Sequence, residues 1–161
     1  MESAARREAA EGLTIRPLSL ADVDEVAELE GSIFSFPWSR SSFERECREE
    51  SSSSWVARRG GSLVGYIVSW IACDEVHIGN VAVAADRRRE GVGRRLVARV
   101  LDDARERGAA LATLEARETN APALGLYRGF GFKPVAMRKR YYADTGEDAI
   151  VMIADLTNEP G

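Results

Sequence analysis

The run Arg87-Arg-Arg-Glu-Gly-Val-Gly-Arg-Arg-Leu96 carries the most specific chemistry in this sequence. It follows an apolar, strand-like segment, Asn80-Val-Ala-Val83, and opens a helical pattern. A strand turning into a helix aims unpaired backbone N–H groups and the positive end of the helix dipole at one point, which suits an anion. Gly91 and Gly93 keep side chains away from a phosphate approaching the backbone, while Arg87, Arg88, Arg89 and Arg94 add charge-assisted donors. The chemistry is that of a pyrophosphate site. No Gly-Lys-Ser/Thr follows, so this is not a Walker A loop, and the third glycine of a dinucleotide fingerprint is missing. An ordinary glycine turn is the alternative reading of the same residues.

Three further side chains stand out singly. Glu115 interrupts the apolar strand Leu111-Ala-Thr-Leu-Glu-Ala116 and shares a face with Leu111 and Thr113. It reads either as a solvated strand position or as a general base at a cleft. Tyr127, near the end of a short helix, reads on its own as a core aromatic. His77, the only histidine, reads as a structural or surface residue. The run Arg138-Lys-Arg140 before Tyr141-Tyr142 reads as a solvated loop, with nucleic-acid contact as the alternative.

The elements that must position these residues follow from periodicity. Leu13–Leu18 alternates like a strand, and Ser19-Leu-Ala-Asp22 sets a capping-box-like start to an amphipathic helix through Glu30. Residues 31–38 read as a loop with exposed aromatics (Phe34, Phe36, Trp38), and Ser39 caps a short helix through Arg48 and Glu49. Trp55–Arg59, Gly60-Gly61 and Leu63–Trp70 read as a hairpin. In the strand Val76–Val83 the apolar parity switches between Ile78 and Val81, which predicts a β-bulge near Gly79 or Asn80. Residues 91–107 have helical period, with Gly108 at the C′ position. After the strand 111–116 come a short helix over 122–128, a strand over 130–135 and a last strand over 149–154. This order predicts one α+β domain with a mixed sheet over residues 13–156, flanked by a flexible tail at 1–12 and a short tail at 157–161.

Composition bounds the function classes. With 161 residues, 45% hydrophobic and 30% charged, the chain reads as one soluble domain able to bury a core without staples. Cys47 and Cys73 stand singly, and with one histidine they cannot form the usual Cys/His zinc site, so no metal is expected and reduced thiols are. The first residues lack an apolar signal segment and the longest apolar stretch is far too short to span a bilayer, so the expectation is a cytoplasmic protein with no membrane association. The net charge of −4 argues against direct nucleic-acid binding and permits a cationic substrate.

The segment Arg88-Arg-Glu-Gly-Val-Gly93 resembles the acetyl-CoA motif Arg/Gln-x-x-Gly-x-Gly/Ala of the GNAT superfamily of N-acetyltransferases. Leu114-Glu-Ala-Arg117, Asn120-Ala-Pro-Ala-Leu-Gly-Leu-Tyr127, Gly129-Phe-Gly-Phe132, and Arg140-Tyr-Tyr142 with Glu147-Asp-Ala149 resemble the RimI-type ribosomal-protein-alanine N-acetyltransferases within it. The resemblance implies a GNAT-like, mostly antiparallel sheet of about seven strands flanked by four helices. It implies that Val81, Ala82 and Val83 pair with the pantetheine arm of acetyl-CoA in a splay beside the strand carrying Glu115. Arg88, Arg89, Glu90, Gly91, Val92, Gly93 and Arg94 would surround the pyrophosphate, and Asn120 would lie near the acetyl-CoA arm. Glu115 would be the general base and Tyr127 the general acid beside the sulfur. The implied acceptor is the N-terminal alanine of the eighteenth small-subunit ribosomal protein, with other protein N-termini, lysine or a small amine as alternatives. Trp38 and Tyr142, in the aromatic loop and the 140–147 loop, are the candidate walls for the peptide. Ala85 departs from the family's usual proline, and Arg88 replaces a glutamine common in close relatives.

Overall fold

The computed structural model describes residues 12–157. The expected tails, 1–12 and 157–161, lie outside it apart from Gly12 and Thr157. Seven strands form one sheet: β1 (Leu13–Pro17), β2 (Trp55–Arg59), β3 (Ser62–Ala72), β4 (Glu75–Val83), β5 (Leu111–Arg117), β6 (Lys133–Arg138) and β7 (Ala149–Asp155), in the spatial order 1-2-3-4-5-7-6. Every neighbouring pair is antiparallel except β4 and β5. Four α-helices, α1 (Val23–Ile33), α2 (Arg40–Arg48), α3 (Val92–Glu106) and α4 (Ala121–Gly129), cover it. No helix among the described residues is long and apolar enough to cross a membrane.

Each face of the sheet has its own core. On one face α3 presents Leu96, Val97, Val100 and Leu101, the helical stripe legible in the sequence, to Val76, Ile78, Ala112 and Leu114 of the central strands. On the other, Val23 and Val26 of α1 and Phe43 of α2 bury against Val56, Tyr66 and Val68. Asp22 fastens the entry to α1. It accepts from the Ser19 backbone N–H at 2.9 Å and pairs with Arg16 at 2.7 Å and Arg58 at 2.8 Å, with 1% of its side chain exposed.

The end of α1 and the start of β6 differ from the sequence reading. Helix α1 runs on through Gly31 and Ser32 to Ile33, closed by Phe34 N–H on the Glu30 carbonyl at 3.0 Å. Phe34 and Trp38 are then half-buried against the α1–α2 core, leaving Phe36 exposed. The strand expected from Phe130 begins instead at Lys133. Phe130 and Gly131 still hydrogen-bond back to the carbonyls of Tyr127 and Arg128, so this segment closes α4, and Phe132 is buried beside Tyr127, with ring centroids 5.9 Å apart.

The bulge is where the parity switch puts it. Val68 pairs with Asn80 and Ser69 with Ile78, leaving Gly79 as the extra residue. A Cβ on Gly79 would lie 2.5 Å from the Trp70 ring, so a larger residue there requires the ring or the strand to shift.

Candidate active site

The site begins where β4 and β5 part. Their parallel pairing runs from Glu75 and Leu111 to Ile78 and Leu114 and stops at the bulge. Beyond it β5 keeps its antiparallel partner β7, while the facing edges of Gly79–Val83 and Glu115–Arg117 diverge unpaired. A cleft of about 310 Å³ fills the opening and is lined by Val81, Glu115, Asn120, Tyr127, Trp38 and Tyr142 among others. Residues expected to hold two substrates thus share one cavity. Val83 packs against the α3-side core, whereas the Ala82 side chain is buried toward the α1–α2 core and its backbone faces Tyr66 of β3, so neither lines this cavity.

The glycine motif lies immediately beyond β4. After a short 3-10 turn (Ala85–Arg87), Gly91 takes φ +82° and becomes the N-cap of α3, a left-handed conformation suited to glycine. The first bond closing the helix is Arg95 N–H to the Gly91 carbonyl at 3.1 Å, so the amides of Val92, Gly93 and Arg94 open the helix with no intrahelical acceptor. Glu90 is turned to cations, 3.5 Å from Arg59 and 3.9 Å from Arg87. The Arg94 guanidinium lies over Phe130 at 5.8 Å. A Cβ on Gly93 would sit at ordinary contact distance from Val83 and from Leu126, so this motif packs between the end of β4 and the helix that carries Tyr127.

Glu115 is largely enclosed, with 12% of its side chain exposed. Its Oε2 lies 3.1 Å from His77 Nε2 and its Oε1 3.6 Å from Arg138 Nε. Tyr127 is buried, and burial pushes its hydroxyl up to about 12. Asn120 caps α4 by accepting from Ala123 N–H at 3.3 Å. Burial also raises Tyr142 to about 12, against the opposing pull of the Arg117 guanidinium stacked 4.0 Å from its ring centre. Among the described residues no group of three or more His, Cys, Asp or Glu side chains is placed to hold a metal ion.

Four residues of this site carry roles that the sequence reading did not assign. Glu30, 1% exposed, lines the cleft and gathers Trp38 N–H at 2.9 Å, Asn80 Nδ2 at 2.6 Å and the Tyr66 hydroxyl. It thereby ties the aromatic loop to the bulge. Its signal was a carboxylate in phase with Val23 and Val26 on the buried stripe of α1. Asn80 is the second. His77 is the third: it reads as structural or surface from sequence, yet it touches Glu115. Arg117 is the fourth. It holds Asp144 at 2.9 Å and Glu147 at 3.3 Å, so these carboxylates organise the 140–147 loop. Asp148 likewise accepts from Arg140 N–H at 2.9 Å.

Comparison with known proteins agrees with this geometry. The acetyltransferase (GNAT) family model matches residues 23–132. The [ribosomal protein bS18]-alanine N-acetyltransferase of Escherichia coli is 33% identical over 146 residues, covering 89% of this chain and 98% of its own length. A crystal structure of the E. coli ribosomal-protein-S18-alanine N-acetyltransferase matches with a TM-score of 0.83 and 31% identity over 92% of this chain and 96% of that one. N-alpha-acetyltransferase RimI of Mycobacterium tuberculosis is 38% identical over 151 residues, 90% of this chain and 94% of that protein. NAA60 of Arabidopsis thaliana, solved in complex with acetyl-CoA, shares the fold at a TM-score of 0.79 and 19% identity, over 89% and 99% of the two chains. The chain belongs to the acetyltransferase (GNAT) family and is an N-acetyltransferase of the RimI type.

Proposed function

We propose that this enzyme uses acetyl-CoA to acetylate the α-amino group of an N-terminal alanine, with ribosomal protein bS18 as its substrate in the cytoplasm. The reading is carried by one observation: Glu115 and Tyr127 line a single cleft at the point where β4 and β5 separate. The names of the relatives over nearly the whole chain support the acceptor.

Acetyl-CoA supplies an activated acyl carbon and a thiolate leaving group. Backbone groups of Val81 and Val83, left unpaired on the β5 side, suit the amides of its pantetheine arm, whereas those of Ala82 face its β3 partner Tyr66; Arg88, Arg89 and Arg94 with the opening amides of α3 suit its pyrophosphate. Asn120, whose Oδ1 is used by the cap, retains its amide N–H groups for the cleft.

An α-amino group titrates near 7.7 to 8.0, so roughly a tenth or more is neutral at pH 7, whereas lysine near 10.4 is almost wholly protonated. A carboxylate reached directly or through one water is an adequate base for the former, and Glu115 takes that part. The nitrogen loses one proton as the amide forms, and the departing sulfur gains one. Tyr127, at about 12, stays protonated throughout the physiological range. Delivering its proton outright to a thiolate of about 8.5 is uphill. Its main contribution is therefore a hydrogen bond to charge developing on sulfur, and the thiolate takes its proton from water once it has left.

The test is coenzyme A release with a synthetic peptide copying the alanine N-terminus of the ribosomal protein, beside the same peptide with a blocked α-amine and a free internal lysine. Turnover with only the free terminus supports the reading. Turnover with the blocked peptide moves the acceptor to lysine, and turnover with neither moves it to another protein or a small amine.

A further inference from the structure

The geometry points to His77 as the positioning residue that orients Glu115 and couples its basicity to the proton on the imidazole. This rests on the reading of Glu115 as the general base. His77 and Thr113 are register partners across the only parallel pair in the sheet, and Glu115 follows Thr113 by two residues on the same face of β5. The three side chains therefore meet without a loop between them. His77 Nε2 lies 3.1 Å from Glu115 Oε2, and Nδ1 lies 2.9 Å from Thr113 Oγ1. The Trp70 ring lies against the imidazole, with centroids 5.0 Å apart and planes tilted by 34°, which fixes its plane.

The proton positions follow from the partners. An ionised carboxylate only accepts, so Nε2 carries the hydrogen toward Glu115, and Nδ1 is left to accept from the Thr113 hydroxyl. The chain Thr113 to His77 to Glu115 holds Oε2 and leaves Oε1 as the oxygen available to the cleft, where its neighbour is the more exposed Arg138. This is the arrangement of a base oriented by a third group. A proton added to His77 places a positive charge 3.1 Å from the carboxylate, making it a weaker base, and removes the acceptor of the Thr113 hydroxyl. The ionisable groups around the pair are Glu75 on the same face of β4, Glu115 of β5, Arg138 of β6 and Tyr142 of the following loop. β3 contributes Trp70 and β7 contributes Val151 and Ile153, none of which titrates.

The test measures kcat from about pH 5 to pH 9, at saturating acetyl-CoA and peptide, for the parent enzyme and for His77→Ala, His77→Gln, Glu115→Gln and the double variant Glu115→Gln/His77→Ala. His77→Ala is expected to lose about tenfold in kcat at pH 8, a part of what a general base contributes, with the KM for acetyl-CoA unchanged. His77→Gln keeps a donor toward Glu115 without an ionisable ring, so it is expected to recover most of that rate and to show a flatter pH profile than the parent enzyme. In the Glu115→Gln background the alanine substitution is expected to add nothing. Parent-like rates and profiles in both His77 variants, with Glu115→Gln slow, overturn this inference and leave the base intact. A full rate in Glu115→Gln overturns the base reading itself. If His77→Ala does not fold, the His77→Gln profile decides alone: superposition on the parent curve overturns the inference.

Discussion

At the residue scale the chemistry divides between a carboxylate and a phenol with different tasks. Tyr127→Phe removes the donor to sulfur and keeps the ring that packs on Phe132, so kcat should fall by about 10²-fold with acetyl-CoA affinity nearly unchanged. Steady-state kinetics beside a direct binding measurement check this; weaker binding at an undiminished rate would assign Tyr127 to structure. Glu115→Gln should lower kcat/KM most at low pH, where the acceptor amine is mostly protonated, and an unchanged pH profile would remove Glu115 from the proton path. Glu115 stood out from sequence because a carboxylate inside an apolar strand needs a reason. The roles of Glu30, Asn80 and His77 were hidden for a common physical cause. Their partners lie on other elements, Tyr66 and Trp38 for Glu30 and Glu115 for His77, and register across strands is not written in the local pattern of either strand.

At the scale of elements, local periodicity was enough for every strand but β6 and for α3, whose apolar stripe and terminal glycines agree with one another. The parity switch in β4 even located the bulge. The limits of α1 and β6 were misread for opposite reasons. Gly31 looked like a stop but sits inside α1, because burial of Ile33 and Phe34 against the α1–α2 core outweighs the roughly 1 kcal/mol that a helical glycine costs. Phe130 and Phe132 looked like alternating strand residues but pack as the close of α4. The bulge yields a direct prediction. Gly79→Ala puts a methyl carbon into the Trp70 ring, so the ring or the strand must shift, at a cost of about 1–3 kcal/mol. Thermal or urea unfolding should register that loss, and activity should fall with it, because the same bulge ends the β4–β5 pairing. Unaltered stability would mean that the Trp70 side chain moves aside freely.

Across the whole molecule, Asp22 joins β1, β2 and the start of α1 through Arg16, Arg58 and Ser19. Burial alone would raise its carboxyl, but hydrogen bonds from Arg58, Arg16 and Ser19 outweigh that and hold it at about 2. A carboxyl depressed in the folded state adds stability above its unfolded value, near 3.9, and that stability drains away as pH falls through about 2. Asp22→Asn should therefore cost about 2 kcal/mol at neutral pH. The gap between parent and variant should narrow from about pH 4 downward, as read by denaturant titrations at several pH values; a gap independent of pH would show that shape and not charge is what Asp22 contributes.

The parting of β4 and β5 also bears on solubility. A sheet normally has two open edges, each a template on which another chain can pair and aggregate. This one has four, since β1 and β6 end the sheet and the cleft exposes one flank each of β4 and β5. Inserting a foreign polypeptide strand between two edges needs them held parallel, with a spacing of about 4.8 Å on either side of the newcomer. The inner edges diverge from Ile78 and Leu114 onward, so that spacing is met over only a short stretch, and Tyr127 and Trp38 already line the opening. The divergence that admits a slender extended ligand thus also keeps the cleft from serving as a seed for strand addition.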